Sequence, residues 1–328
     1  MQMGCQTLGS WQRHATSDTM GGLGSQAAIL ALVVLAVLPF SAIWVGSLRT
    51  RAGHGMPRSI PSALEVLIGV CTDFFDTLGI GSFATTTSFY RLLRGRVRVP
   101  DRVIPGTLNV GHTIPTAAQA LIYIAIVHVE TVTLATMIAG AVAGAWLGSG
   151  VVARWPVRAI RFGLGASLMC AAALMLAQQV HAIPGGGEAL GLRGVRLALG
   201  VGGNVALGAL MTLGIGLYGP CMMLVGLLGM NPTAAFPIMM GSCAFLMPVA
   251  GVRFIARRAY VPSAALGLAL GGTPAVLVAA GLVGSLPLRS ARWLVIGVIG
   301  YAAVQMLISA ARSEPDDESL LRDRPGRG

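Results

Sequence analysis

Thr77-Leu78-Gly79-Ile80-Gly81 and Thr212-Leu213-Gly214-Ile215-Gly216 are the same five residues, 135 positions apart. Each copy interrupts an apolar run, 61–93 and 195–229, that is too long for one membrane crossing of about 20 residues. Glycine clusters split a helix into shorter pieces, because Gly readily leaves the helical conformation. At the same offset Gly106-Thr107 matches Gly241-Ser242. Pro156-Val157-Arg158-Ala159-Ile160-Arg161 resembles Pro287-Leu288-Arg289-Ser290-Ala291-Arg292 at an offset of 131. Three matches in register predict a duplication of about 62–178 into about 195–311.

Composition sets the medium. Of 328 residues, 55% are hydrophobic and 11% charged, with a mean hydropathy of +0.75. A soluble domain carries about 25% charged residues, so this chain has too little charge to cover a water-facing surface. Besides the two interrupted runs, spans are expected near 28–46, 103–127, 132–153, 159–178, 233–252, 262–283 and 291–311. The run 28–46 ends in Ser47-Leu48-Arg49 without a small-residue cleavage pattern, which reads as a retained membrane helix rather than a removed signal peptide. The expected division is a tail over 1–27, an extra helix over 28–46, repeats over 61–178 and 195–311, and a tail over 312–328.

All 23 basic residues are arginines, and their placement selects a topology. If each interrupted run enters and leaves on one face, one side receives Arg49, Arg51 and Arg58, then Arg91, Arg94, Arg96, Arg98 and Arg102. The same side receives Arg154, Arg158 and Arg161, then Arg253, Arg257 and Arg258, and the tail with Arg312, Arg322, Arg324 and Arg327. Only Arg13, Arg193, Arg196, Arg289 and Arg292 fall opposite. The positive-inside rule makes the arginine-rich side cytoplasmic, the C-terminal tail included. Each repeat then has one hairpin and three crossings, so the second is inverted, a plan common among secondary transporters. The expected fold is an all-α polytopic membrane protein of two inverted repeats with broken, re-entrant first segments, plus one N-terminal helix. Arginines in loops between apolar runs do not suggest nucleic acid.

Polar residues inside spans are costly, roughly 2.5–3.5 kcal/mol for a charge at mid-bilayer, and so mark function. Asp73 and Asp76 precede the first break at a spacing that shares one helical face; Glu65 and Thr72 extend the stripe. Three readings fit: proton-binding or gating carboxylates beside a solute site, caps for the helix that follows, or a position near the bilayer surface. Asn109, His112, Thr113, Thr116, Gln119 and Tyr123 trace one face of the next span, reading as a cavity lining or as interhelical hydrogen bonding. His112 is the third candidate proton site. The breaks themselves, with Thr77, Gly79, Gly81, Ser82 and Thr85 in one half and Thr212, Gly214, Gly216 and Gly219 in the other, are expected to offer backbone N–H groups to an anion. Thr107, Asn109, Thr113 and Ser242 complete the expected binding set. The five cysteines form no C-x-x-C pair, four of them reading as buried apolar thiols. No ligand pair has zinc spacing, and neither metal nor cofactor is expected.

Asp76-Thr77-Leu78-Gly79-Ile80-Gly81-Ser82-Phe83-Ala84, followed by Ile104-Pro105-Gly106-Thr107-Leu108-Asn109-Val110-Gly111-His112-Thr113, resembles the sulfite exporter TauE/SafE permease family. Gly214-Ile215-Gly216 and the stretch from Ala235 to Pro248 resemble that family's second repeat. Ser82-Phe83 stand where the family has further glycines. The resemblance covers roughly 60–311 and implies transport of small sulfur-containing or carboxylate anions, with protons as the coupling ion. The expectation is a multi-pass inner-membrane transporter whose partners are a small anion, protons and the bilayer. A passive anion channel and an intramembrane enzyme built on Asp73, Asp76 and His112 stand as alternatives, the enzyme weakened by the lack of a nucleophile–base motif.

Overall fold

The computed structural model describes residues 5–53, 60–79, 81–152, 157–180, 187–212 and 216–282, with individual helical positions between 293 and 311. Its helices are α1 (Cys5–Gly53), α2 (Ala63–Thr77), α3 (Ser82–Leu92), α4 (Ile104–Gly111), α5 (Thr113–Ile126) and α6 (Thr131–Val152). They continue as α7 (Val157–Gln179), α8 (Gly194–Met211), α9 (Tyr218–Leu227), α10 (Ala235–Ala256) and α11 (Pro262–Leu282). Among the described residues there is no strand, only an isolated bridge between Ala189 and Met230. Among the described residues five helices are long and apolar enough to cross a membrane: Gln26–Thr50 of α1, Thr131–Gly148 of α6, α8, α10 and α11. This is an all-α membrane protein. The tail read as lying outside the first span is helical from Cys5 onward and continuous with it.

The chain breaks at glycines and at one unforeseen place. Between α2 and α3, Gly79 has φ 84° and Gly81 φ 87°, a region L side chains avoid, so both glycines are needed for the turn. The run 103–127, expected as one helix, is divided at His112. Pro115 explains this: it has no N–H for the Gly111 carbonyl, and its ring crowds that group. The second copy of the repeat separates α8 from α9; Leu213, Gly214 and Ile215 lie outside the described residues.

Side-chain bonds fix which ends meet. Glu65 opens α2 through a capping box with Ser62, its Oε2 accepting from Ser62 N at 2.7 Å. Glu65 also lies on the buried face of α2 that carries Thr72, Asp73 and Asp76. Ser263 Oγ also reaches Glu65, at 3.2 Å. Thr107 Oγ1 accepts from Val261 N at 3.0 Å, and Arg91 at the end of α3 pairs with Asp101 just before α4, at 3.4 Å. The start of α2 and the end of α3 therefore share one end of the bundle with the α10–α11 turn. At the other end Asn231 N donates to Ala189 O at 2.8 Å, which joins the end of α9 to the start of α8. Glu130 N donates to Leu190 O there as well, at 2.9 Å. Arg91, Arg94 and Arg253 stand at the first end and Arg193 and Arg196 at the second.

Two helix pairs carry the packing, and both use glycine. Gly140, Gly144 and Gly148 of α6 meet Val201, Val205 and Ala209 of α8, so both faces advance by four residues per turn. Gly267 and Gly271 of α11 meet Glu65 and Val66 of α2. A Cβ at Gly144 or Gly271 would run into the facing carbonyl, of Val205 or Val66. Small residues at this spacing let membrane helices approach backbone to backbone, where dispersion and weak hydrogen bonds replace the hydrophobic effect as the source of attraction. Through these pairs α6 of the first half packs on α8 of the second, and α11 of the second packs on α2 of the first. α10 passes through the middle, buried along most of its length.

Candidate functional site

The two breaks touch. A Cβ built on Gly81 would lie 3.8 Å from Tyr218 Cβ, and one on Gly216 would lie 3.5 Å from Phe83 Cβ. These are the same contact twice, since Gly81 and Gly216, like Phe83 and Tyr218, are 135 positions apart. Gly79 faces the ring of Phe236, which stacks on Tyr123 with centroids 5.1 Å apart.

Around this junction a buried polar network has formed. Asp73, Asp76, Thr77, His112 and Gln119 have no exposed surface. His112 Nδ1 lies 2.9 Å from Asp73 Oδ1 and 3.0 Å from Oδ2, and His112 Nε2 lies 3.0 Å from Thr86 Oγ1. Gln119 Nε2 donates to Thr77 Oγ1 at 3.1 Å, and Tyr218 OH donates to Gln119 Oε1 at 3.0 Å. Tyr123 OH donates to Thr77 O at 2.6 Å. Side chains from α2, α3, α5 and α9 are thereby locked to one another. The kink at His112 turns its ring toward α2 and α3.

The two aspartates have different tasks. Asp73 is committed to His112. It also stands against Gly272 of α11, where a Cβ would collide with its Oδ2. Asp76 Oδ1 accepts from the backbone N–H of Ser82, capping α3 in the way a short acceptor caps a helix. Its Oδ2 has no hydrogen-bond partner among the described residues, although the Gln119 amide and the Tyr218 hydroxyl lie close beside it. The first break, expected to hold a solute anion by backbone donors, thus already holds a carboxylate of the chain itself.

Other expected site residues are placed as follows. Thr85 Oγ1 donates back to Gly81 O and Ser82 O, both at 2.9 Å, tightening the start of α3. Thr113 Oγ1 donates to Asn109 O across the kink. Asn109 Nδ2 donates to Pro105 O at 2.8 Å, and its buried Oδ1 is unpartnered among the described residues. Thr107 serves the α10–α11 turn, away from the junction. Thr212 Oγ1 closes the end of α8 on Ala209 O at 2.7 Å. Ser242 Oγ accepts from Asn204 Nδ2 at 3.0 Å. Gly216 is at the junction, Gly219 is within α9, and Gly214 lies outside the described residues.

The sequence reading did not single out Thr86, Tyr218, Asn204 or Gly272. Thr86 is one hydroxyl among five in Ser82–Ser88, and its choice as partner depends on where α4 kinks. Tyr218 had a readable signal, being the 135-offset counterpart of Phe83. Asn204 had one too, as an amide within an apolar span. Among the described residues no group of three or more His, Cys, Asp or Glu could hold a metal ion.

Compared with known proteins, the chain matches no family model, no curated protein and no solved structure.

Proposed function

We propose that this protein is a proton-coupled secondary transporter of a small anion, with sulfite and organosulfonates as its first substrates, working by alternating access in the inner membrane. The observation that carries the reading is Asp76 on the Ser82 N–H. A solute oxyanion at this helix N-terminus would compete with Asp76 for the same donor and be repelled by its charge. A proton on Asp76 removes the repulsion and weakens its hold on the donor, so proton binding favours anion binding.

His112 supplies the route. Between a neutral ring and an imidazolium, the group required at Nε2 changes from donor to acceptor. A hydroxyl can be either, so Thr86 follows the change by rotating, and Asp73 accepts from Nδ1 in both states. The imidazole can therefore pass a proton toward the junction without losing a partner.

An inverted repeat with re-entrant α2–α3 and α8–α9 hairpins completes the proposal. Its supports are the shared ends of each hairpin, the twofold recurrence of the Gly81–Tyr218 contact, and the reciprocal packing of α6 on α8 and α11 on α2. Membership in the TauE/SafE permease family, on the motif resemblance, belongs to the same proposal and supplies the sulfur-anion substrate class. The cytoplasmic side is the arginine-rich one.

Uptake of labelled sulfite and small organosulfonates into proteoliposomes, with and without a pH gradient, tests this reading. Gradient-dependent accumulation is expected. Flux that merely equilibrates would make the protein a channel, and absence of flux for every small anion would sink transport altogether.

A second reading has one specific observation behind it. Thr86, His112 and Asp73 stand in the order hydroxyl, imidazole, carboxylate, at the distances of a nucleophilic triad. Thr86 is fully buried, so a substrate cannot reach its oxygen in this conformation. Labelling of Thr86 by a hydroxyl-directed fluorophosphonate would favour the enzyme over the transporter.

A further inference from the structure

A groove of about 730 Å³ runs along the outer flank of the bundle, walled by Ile29 and Leu32 of α1, Ala139, Val142 and Leu147 of α6, and Phe245 of α10. It exists because the outward stripe of α6 is small: Ala135, Ala139 and Ala143 follow one another at four-residue steps. From Ala135 to Leu147 the helix rises about 18 Å, close to one leaflet of a hydrocarbon core about 30 Å thick. No charged side chain lines it.

The charge stands at one end. Val249 lines the groove, and Arg253 follows it one turn later on α10. The Arg253 guanidinium lies 4.9 Å from the centroid of the Trp146 ring, and its Nη1 donates to Trp146 O at 2.6 Å. Held over the Trp146 ring, it stands where the groove reaches the arginine-rich end, with the exposed Arg257 and Arg258 following it in the chain. An apolar slot one leaflet long, closed by a tryptophan and a cluster of guanidiniums, matches an acyl chain with a phosphate at its head.

We propose that the groove between α1, α6 and α10 binds one anionic phospholipid, with an acyl chain along Ala135–Leu147 and its phosphate on Arg253. Zwitterionic lipids fill the slot less well, because their ammonium faces the same guanidiniums. Position on the bundle and charge select the lipid here, independently of any solute at the junction.

Native mass spectrometry of the delipidated full-length protein tests this, titrated with phosphatidylglycerol or phosphatidylcholine of identical chains. One phosphatidylglycerol should bind at least tenfold more tightly than phosphatidylcholine. Arg253→Gln should bring the two lipids to equal affinity, and Arg253→Lys should keep part of the preference. Ala139→Phe, which fills the groove without touching Arg253, should weaken the tight phosphatidylglycerol event although the arginine is intact. Soluble glycerol phosphate should not displace the lipid, since it has no chain to seat. Equal binding of both lipids to the parent protein overturns the proposal. So does a preference that survives both Arg253→Gln and Ala139→Phe.

Discussion

Asp76 directs Oδ1 onto the backbone N–H of Ser82, across the break that separates α2 from α3. Asn offers the same acceptor, so Asp76→Asn should melt at the temperature of the parent protein. Asp76→Ala removes it and should cost about 1 kcal/mol, visible as a lower melting temperature in detergent. Function should separate the two roles of the carboxylate. Asp76→Asn is expected to exchange anion across proteoliposomes but not to accumulate it against a pH gradient. Accumulation equal to the parent would reduce Asp76 to a cap.

Gly272 gives an independent handle on Asp73. A methyl there has no room beside the carboxylate, so Gly272→Ala should push Asp73 off His112 without altering either titratable group. Coupled uptake should fall at least tenfold, with a loss of stability of about 1–3 kcal/mol from the disturbed buried pair. Gly202→Ala in α8 is the matched control, because a Cβ there meets nothing within 4 Å. If both variants transport alike, the position of Asp73 against α11 has no part in the mechanism.

The legible part of this fold was written in its apolar runs and its glycines. Gly79 and Gly81 must break a helix, because the chain turns there with positive φ. That signal is local, so a reader needs no three-dimensional packing to use it. The kink at His112 was readable in principle from Pro115 and went unread, since polar spacing alone favoured a continuous face across 109–123. The pairing of Asp73 with His112 rather than with the helix after it was not legible. It depends on how α5 and α11 approach α2, and thus on where glycines such as Gly272 permit contact. Distant partners of this kind are decided by packing, which no spacing within one segment encodes.

The two junction glycines should not respond alike to substitution. Gly81 has φ 87°, so any side chain there strains the backbone by about 1–3 kcal/mol. Gly216 has no positive φ, and a Cβ there meets Phe83 at an ordinary 3.5 Å. Gly81→Ala should therefore lower the melting temperature, whereas Gly216→Ala should leave it unchanged. Transport by Gly216→Ala then reports on the junction itself: a slowed anion flux in a stable protein would place the solute path beside Phe83. Unaltered flux would move that path away from the second break.

The side of the membrane at which each hairpin closes can be read by labelling. Ile60 precedes α2 and Arg94 follows α3, both at the end of the bundle that carries Arg91 and Arg253. Arg193 precedes α8 and Thr233 follows α9, at the opposite end. Ile60 and Arg193 are largely exposed, at 68% for the residue and 91% for the side chain respectively. In a background with Cys5, Cys71, Cys170, Cys221 and Cys243 replaced, single cysteines are introduced at the four positions. An impermeant thiol reagent applied outside should reach Arg193→Cys and Thr233→Cys, and reach Ile60→Cys and Arg94→Cys only after permeabilisation. Each hairpin is tested by its own pair, because a full crossing would put its two cysteines on different sides. A split within either pair would end the inverted-repeat arrangement. The two pairs exchanging sides would keep the repeat but put the arginine-rich end outside, against the bias that the positive-inside rule imposes on short loops. Of the two assumptions, the hairpins rest on hydrogen bonds such as Asn231 to Ala189, whereas the orientation rests on charge alone. The labelling separates them in one experiment.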